Sequence, residues 1–82
     1  MRMLDADRKD SVRVMQLYLS PREAAEFRNA LGKLLSDPEQ NEHEHIFADD
    51  MSREISFSIL TPTKLGNLSG FTDLERKVLQ EP

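Results

Sequence analysis

The feature that most constrains the fold is a change of hydrophobic period at a single helix start, because residues 12–19 alternate as a strand and residues 21–35 repeat as a helix. One face of the alternating segment carries Met15, Leu17 and Leu19, and the other carries Val12, Val14, Gln16 and Tyr18. Both faces are largely apolar, whereas a strand with water on one side should show polar residues at every second position. The sequence therefore predicts a strand covered on both sides by a helix, a partner chain or both.

The helical half begins at a capping box, in which Ser20 and Glu23 satisfy each other's backbone N–H groups. Pro21 then occupies the first helical position, where its missing donor costs nothing. Gly32 weakens the helix by about 1 kcal/mol relative to alanine, which suggests a close approach of another backbone. Pro38 ends the helix. Its apolar stripe, which we expect to lie on a sheet, consists of Ala24, Phe27, Leu31, Leu34 and Leu35.

Length and composition point to one small domain without covalent support. The 82 residues contain no cysteine, which excludes disulfides, thiolate metal sites and thiol nucleophiles. The charged residues 1–11 contain no apolar core, so we expect a disordered lead rather than a targeting peptide, with residues 12–82 forming one cytoplasmic domain. A core of this size is marginal alone, and self-association is the remedy left to it. We therefore expect a homodimer or a higher homo-oligomer whose interface includes Val12, Val14 and Tyr18.

Negative charge is concentrated in residues 37–50. The net charge is −4, and neither lysine nor arginine occurs between Lys33 and Arg53. Duplex nucleic acid would be repelled by this acidic stretch. Its two interpretations are a solvated surface that keeps the protein soluble and a docking surface for a basic protein partner. Its acidic residues are Asp37, Glu39, Glu42, Glu44, Asp49 and Asp50.

Two further strands are predicted at residues 43–48 and 53–60, joined as an antiparallel hairpin. A four-residue loop places Ile46 opposite Ile55, and a loop one residue longer or shorter brings Phe47 there, so the register stays open. The strongest strand composition belongs to the last strand, which favours the order 1-3-2. With a final helix over 73–80, the prediction is a single βαββα domain of the α+β class, with one long helix on one face of a three-stranded sheet.

His43 and His45 are the one group of residues that resembles a chemical site, because alternate strand positions place both rings on one face. Two imidazoles, with oxygen ligands from Glu42, Asp49 or Asp50, fit zinc or nickel, although a structural site needs four ligands. No nucleophile motif surrounds Ser52, Ser56 or Ser58. We therefore expect neither a catalytic residue nor a cofactor, and keep a small metal-binding or ligand-binding enzyme using the two histidines as the alternative.

The order LYLSPREAAEFRNALGKLL followed by NEHEHIFADDMSREISFSILTP resembles a group of short bacterial proteins with a βαββ core. It is also similar to some small bacterial immunity proteins that pair a helix with a hairpin carrying H-x-H. The resemblance spans residues 12–65 and carries over no functional residue. It implies that the acidic stretch is the face for a basic toxin. The function expected from the sequence is a non-catalytic, homo-oligomeric interaction module, with no nucleic-acid or membrane partner.

Overall fold

The computed structural model describes all 82 residues and shows a small α+β fold with one main helix and two separate two-stranded antiparallel sheets. The first sheet pairs two short N-terminal strands, and the second is a hairpin in the middle of the chain. Three further helical elements follow the hairpin. In chain order the elements are β1 (Leu4–Asp5), β2 (Asp10–Ser11), α1 (Pro21–Ser36), β3 (Glu44–Phe47), β4 (Glu54–Phe57), α2 (Pro62–Leu65), a 3₁₀ turn (Leu68–Gly70) and α3 (Asp73–Leu79).

The main helix is confirmed at both ends. Ser20 accepts a hydrogen bond from the N–H of Glu23, and the Glu23 carboxylate accepts one from the N–H of Ser20, so the predicted capping box is present. The helix stops at Ser36, ahead of Pro38. A Cβ added to Gly32 would meet nothing within 4 Å, so the predicted close approach at this glycine is wrong.

The predicted hairpin is confirmed as β3 and β4, and the structure selects its register. Ile46 lies opposite Ile55, which is the arrangement of the four-residue loop. The loop places Met51 at a φ of 63°, a left-handed conformation that is uncommon for a residue other than glycine. Helix α1 packs on the hairpin face that contains Ile46, and the Phe27 ring stacks on Phe57 at 4.8 Å between ring centroids.

The predicted three-stranded sheet of order 1-3-2 is wrong, because residues 12–19 form neither strand nor helix. Alternation tells which side chains share a face, but a strand also requires a neighbouring edge that bonds its N–H and C=O groups. In this stretch, backbone pairing is confined to its first residue, Val12, whose N–H donates to the carbonyl of Met3 at 2.9 Å. The hairpin β3–β4 consequently stands as a two-stranded unit with α1 on one face.

The N-terminal residues, for which the sequence indicates disorder, form the short hairpin β1–β2. Leu4 pairs with Ser11 and Asp5 with Asp10. The Asp5 carboxylate accepts hydrogen bonds from the N–H groups of Asp7 and Arg8 at 3.1 and 3.0 Å, which satisfies the turn.

The C-terminal third contains the predicted final helix, as α3, and two short elements that the sequence indicates only as a loop. Thr72 and Glu75 form a second capping box at the start of α3. The Lys64 ammonium donates to the carbonyls of Asn41 and Ile59 at 2.9 and 3.1 Å, and so joins the connection after α1 to the chain that leaves β4. Val78 of α3 is buried and lines a cavity together with Met3 and residues near both ends of the chain.

The core is very small, because four of the 82 residues are buried. The accessible surface is 6588 Å², whereas a typical folded monomer of this mass exposes about 5,000 Å². The radius of gyration is 13.5 Å, against about 12 Å for a domain of this length. The chain thus exposes much more surface than its size requires. The buried residues are Leu34, Ile46, Thr61 and Val78.

Candidate functional site

Segment 12–19 is the most exposed apolar part of the molecule. Val14 and Tyr18 are 83% and 85% exposed, and Met15, Leu17 and Leu19 are also exposed. From residue 13 to residue 19 the backbone makes no hydrogen bond to other backbone groups. The segment is fixed at its two ends, by the Val12–Met3 hydrogen bond and by the capping box at Ser20. It therefore presents both apolar side chains and free backbone donors and acceptors.

The outer edge of β4 is a second set of free backbone groups. The hydrogen bond from the N–H of Ala48 to the carbonyl of Arg53 closes the hairpin at its loop end. Hydrogen-bonded and non-bonded pairs alternate along an antiparallel ladder, so Ile55 and Phe57 bond inward to β3 while the backbone groups of Glu54 and Ser56 point away from it. No backbone partner meets Glu54 or Ser56 on that side. We call this row the free edge of β4.

Segment 12–19 and the β3–β4 hairpin line the same open cleft, whose volume is about 2310 Å³. Met15, Leu17 and Leu19 contribute from the segment, and Ile55 and Phe57 contribute from β4. Of the predicted interface residues, Val12 lies beside the N-terminal hairpin, and Val14 and Tyr18 are exposed.

The two histidines lie on the hairpin face opposite α1, in a row with Phe47. The rings of His43 and His45 meet edge to face at 4.7 Å, and the rings of His45 and Phe47 stack at 6.2 Å. From β4, Ser56 Oγ lies 2.7 Å and Glu54 Oε2 lies 2.5 Å from His45 Nδ1. The cross-strand register brings Ser56 and Glu54 to His45 and Phe47, since His45 is opposite Ser56 and Phe47 is opposite Glu54.

This cluster contains the residue types of a Ser–His–Glu triad but not the arrangement. In a triad, the serine and the carboxylate contact different ring nitrogens, so that one nitrogen takes the serine proton while the other is held by the acid. Here Ser56 and Glu54 contact the same nitrogen of His45. Histidine, serine and glutamate are all exposed. The geometry suits a cross-strand polar contact better than a nucleophile.

The proposed metal ligands do not converge. No three histidine, aspartate or glutamate side chains lie together in a group that could hold a metal ion. Asp49, one of the oxygen ligands considered from the sequence, forms an ion pair with Arg22 at 2.5 Å.

Arg22, Glu23 and Asp49 join the start of α1 to the hairpin loop. The Glu23 carboxylate accepts hydrogen bonds from the N–H groups of Ser20 and Asp49 at 2.7 and 2.8 Å, and these bonds lower its pKa. The pKa of Asp49 is lowered by the Ser20 hydroxyl and by the Arg22 guanidinium, and the pKa of Arg22 is raised in turn by Asp49. This contact orients the hairpin relative to α1.

The acidic stretch is partly neutralised by α1. Besides the Asp49 ion pair, Glu44 lies 3.0 Å from the Lys33 ammonium. Asp50 accepts from the N–H and hydroxyl of Ser52, which lowers its pKa and keeps it charged. Within residues 37–50, the acidic side chains that make no ion pair are Asp37, Glu39, Glu42 and Asp50.

Sequence reasoning missed Glu54 and the Arg22–Asp49 ion pair. The position of Glu54 beside His45 follows from the hairpin register, which the sequence leaves open. Arg22 and Asp49 are separated by 27 residues, and no local pattern indicates that a helix start will meet a loop.

Comparison with known proteins gives no relatives: no family model, no curated protein and no solved structure matches the chain. The likeness to short bacterial βαββ proteins and to small immunity proteins stays a prediction. Among the helices, none combines the length and the apolar character needed to cross a membrane.

Proposed function

We propose that this protein is a non-catalytic interaction module that works as a homodimer. The observation that carries the proposal is its surface of 6588 Å², which exceeds that of a typical folded monomer of its mass by about 1,600 Å². Large apolar side chains in segment 12–19 make up part of this excess. An apolar surface of this kind on a small chain is typical of an interface.

Energetics support the same conclusion. Apolar burial contributes about 25 cal/mol per Å², and ordering the chain costs about 1.5 kcal/mol per residue. With four buried residues and no cysteine, this chain has little with which to offset that cost. Association adds burial without adding residues, and a binding partner stabilises the folded state by mass action.

The proposed second partner is a basic protein that binds the acidic stretch at residues 37–50. Asp37, Glu39, Glu42 and Asp50 carry charge there without an ion-pair partner. Complementary charge of this kind increases association rates and selects the sign of the partner. The resemblance to immunity proteins supports a basic toxin as that partner, and a toxin reading frame beside this one would support it further.

Size-exclusion chromatography with light scattering tests the homodimer. We expect a mass twice the 9.4 kDa of the chain at micromolar concentration. The double variant Val14→Ser with Tyr18→Ser should elute as a monomer, because it removes apolar surface from the proposed interface. Both side chains are exposed in the isolated chain, so the variant should fold with its core intact. The double variant Glu39→Gln with Glu42→Gln is the control and should remain dimeric. A wild-type monomer at high micromolar concentration would overturn the proposal.

The alternative is a metal-binding or ligand-binding enzyme that uses His43 and His45. The contact of His45 with Ser56 and Glu54 favours it, and the shared ring nitrogen disfavours it. Calorimetric titration of the protein with zinc separates the two functions. Absence of heat at micromolar protein removes the metal site, and heat that disappears in His43→Ala and His45→Ala would favour the alternative.

A further inference from the structure

The same chain contains both an extended segment that pairs with no strand and a strand edge that pairs with no segment. Segment 12–19 has the alternation of a strand, and its backbone is unpaired from residue 13 onward. The free edge of β4 has unpaired backbone groups at Glu54 and Ser56. Free edges of this kind pair readily with an extended segment of another chain.

We propose that segment 12–19 of one copy pairs with the free edge of β4 in a second copy, and that the exchange is reciprocal. This inference rests on the self-association proposed above and names its contact. Each copy then has a three-stranded sheet in which β4 is central, with the donated segment on one side and β3 on the other. The strand order expected from the sequence is thereby formed between chains instead of within one.

The side chains match this arrangement on both faces. The row of Met15, Leu17 and Leu19 extends the row of Ile55 and Phe57, which faces α1 and contacts Phe27. On the opposite face, Val14 and Tyr18 come beside Glu54 and Ser56 of β4, and the row of histidines and Phe47 lies one strand further, on the β3 side. Side chains at paired positions of neighbouring strands point to the same face of a sheet, so the apolar rows of the two strands become continuous.

The occupant is a second copy because each chain carries one unpaired segment, residues 12–19, and one free edge of β4 that can receive it. A reciprocal exchange about a two-fold axis satisfies both without any other molecule. Pairing of two copies of segment 12–19 with each other would give an isolated two-stranded ribbon, which is marginal in water. A standard interface removes about 800 Å² from each partner, well within the excess surface of about 1,600 Å² that each chain exposes.

Site-specific cross-linking tests the contact, and the chain is suited to it because it contains no native cysteine. Gln16→Cys and Ser56→Cys are prepared as separate variants of the full chain, mixed, and treated with a cysteine-specific cross-linker of about 8 Å reach, the spacing of diagonal neighbours across strands. We expect a covalent heterodimer from the mixture and a much smaller yield from either variant alone. Leu35→Cys, on the exposed side of α1, replaces Ser56→Cys as the control and should not cross-link to Gln16→Cys.

The outcomes separate this inference from the proposal on which it depends. A dimer by light scattering without the Gln16→Cys to Ser56→Cys product would overturn the strand exchange and leave self-association standing. A dominant product from Gln16→Cys alone would mean that the segments pair with each other, which also overturns it. A monomer would overturn both proposals.

Proline substitution gives a second measurement. Adjacent N–H groups in a strand point in opposite directions, so one of Gln16→Pro and Leu17→Pro removes a donor directed at β4. Neither residue's N–H bonds within its own chain, so the monomer should fold as before, as its circular dichroism spectrum will report. We expect the dimer to dissociate about tenfold more readily in one of the two proline variants, and no change in Gln16→Ala. Unchanged association in both proline variants would contradict the exchange.

Discussion

Glu23 accepts a hydrogen bond from the backbone N–H of Asp49 at 2.8 Å, across 26 residues of sequence. The same carboxylate closes the capping box of α1 through the N–H of Ser20. One side chain thus caps the start of the helix and also fixes the hairpin loop against it, with Arg22 binding the carboxylate of Asp49 alongside. The orientation of the sheet on α1 depends on this contact.

Substitution of Glu23 by alanine should lower the melting temperature more than substitution of Glu75. Both glutamates occupy the third helical position and complete a capping box, Glu23 at the start of α1 and Glu75 at the start of α3. Glu23 additionally accepts from Asp49, whereas Glu75 accepts from Thr72 in its own box. Thermal unfolding followed by circular dichroism, at one protein concentration, measures the difference. Equal losses in the two variants would show that the contact with the loop contributes nothing.

Acidification should destabilise the protein through the same contact. The pKa of Glu23 in the folded chain lies below its ordinary value of 4.5, and that of Asp49 lies below 3.8. In the window below these ordinary values the unfolded chain binds more protons than the folded one, so stability is lost as pH falls through the lowered pKa values. The raised pKa of Arg22 lies above the range in which this matters.

Urea unfolding between neutral pH and about pH 3 measures this loss. The midpoint should fall over the acidic part of that range in the wild-type protein and fall less steeply in Glu23→Gln, which cannot lose the charge. Parallel curves for the two proteins would contradict the assignment. The protein concentration is held constant, because association also changes the midpoint.

The parts of the fold that the sequence predicts are those determined by neighbours along the chain. Ser20, Pro21 and Glu23 encode the start of α1 within four residues, and the cap forms as expected. The alternation around Ile55 and Phe57 likewise identifies β4, although the strand ends at Phe57 and not at residue 60 as predicted. Local signals are sufficient here because the hydrogen bonds they specify are local.

The parts that the sequence does not predict depend on long-range pairing. Segment 12–19 has a strand pattern, but the pattern does not state whether an edge is free to receive it, and in the single chain it stays unpaired. The proximity of His45 to Glu54 could be predicted only from the hairpin register, which the sequence left open because the loop length was not determined. Val14 and Tyr18 are exposed in the single chain, and their place in an interface stays a prediction.

Truncation of Leu34 should be the most damaging single change in α1. Leu34 is fully buried, whereas its neighbour Leu35 is 65% exposed. Leu34→Ala leaves a cavity and should reduce the free energy of unfolding by about 2–5 kcal/mol, a large part of the stability of a small domain. Leu35→Ala should change it by no more than about 0.5 kcal/mol. Urea titration of both variants checks the contrast, which similar losses would contradict.

Gly32→Ala should stabilise the protein. Gly32 lies inside α1 and an added Cβ would meet nothing within 4 Å, so alanine gains helix propensity of about 1 kcal/mol without a clash. We expect a rise in melting temperature of about 4–8 °C. Gly66 is the control, because a Cβ there would meet carbonyl oxygens of Pro62 and Thr63 at 3.4 and 3.5 Å. A loss of stability in Gly32→Ala would show that this side of α1 is covered.

The outward backbone groups of Glu54 and Ser56 also bear on whether this chain assembles as a closed dimer or as an open filament. If each molecule gave its extended residues to one neighbour and received those of another, the contacts would continue along an open filament. Mutual exchange between two molecules occupies segment 12–19 and the free edge of β4 in both, so neither is left to recruit a third molecule. A point substitution that prevents the mutual arrangement while sparing the edge should therefore convert a soluble pair into fibres.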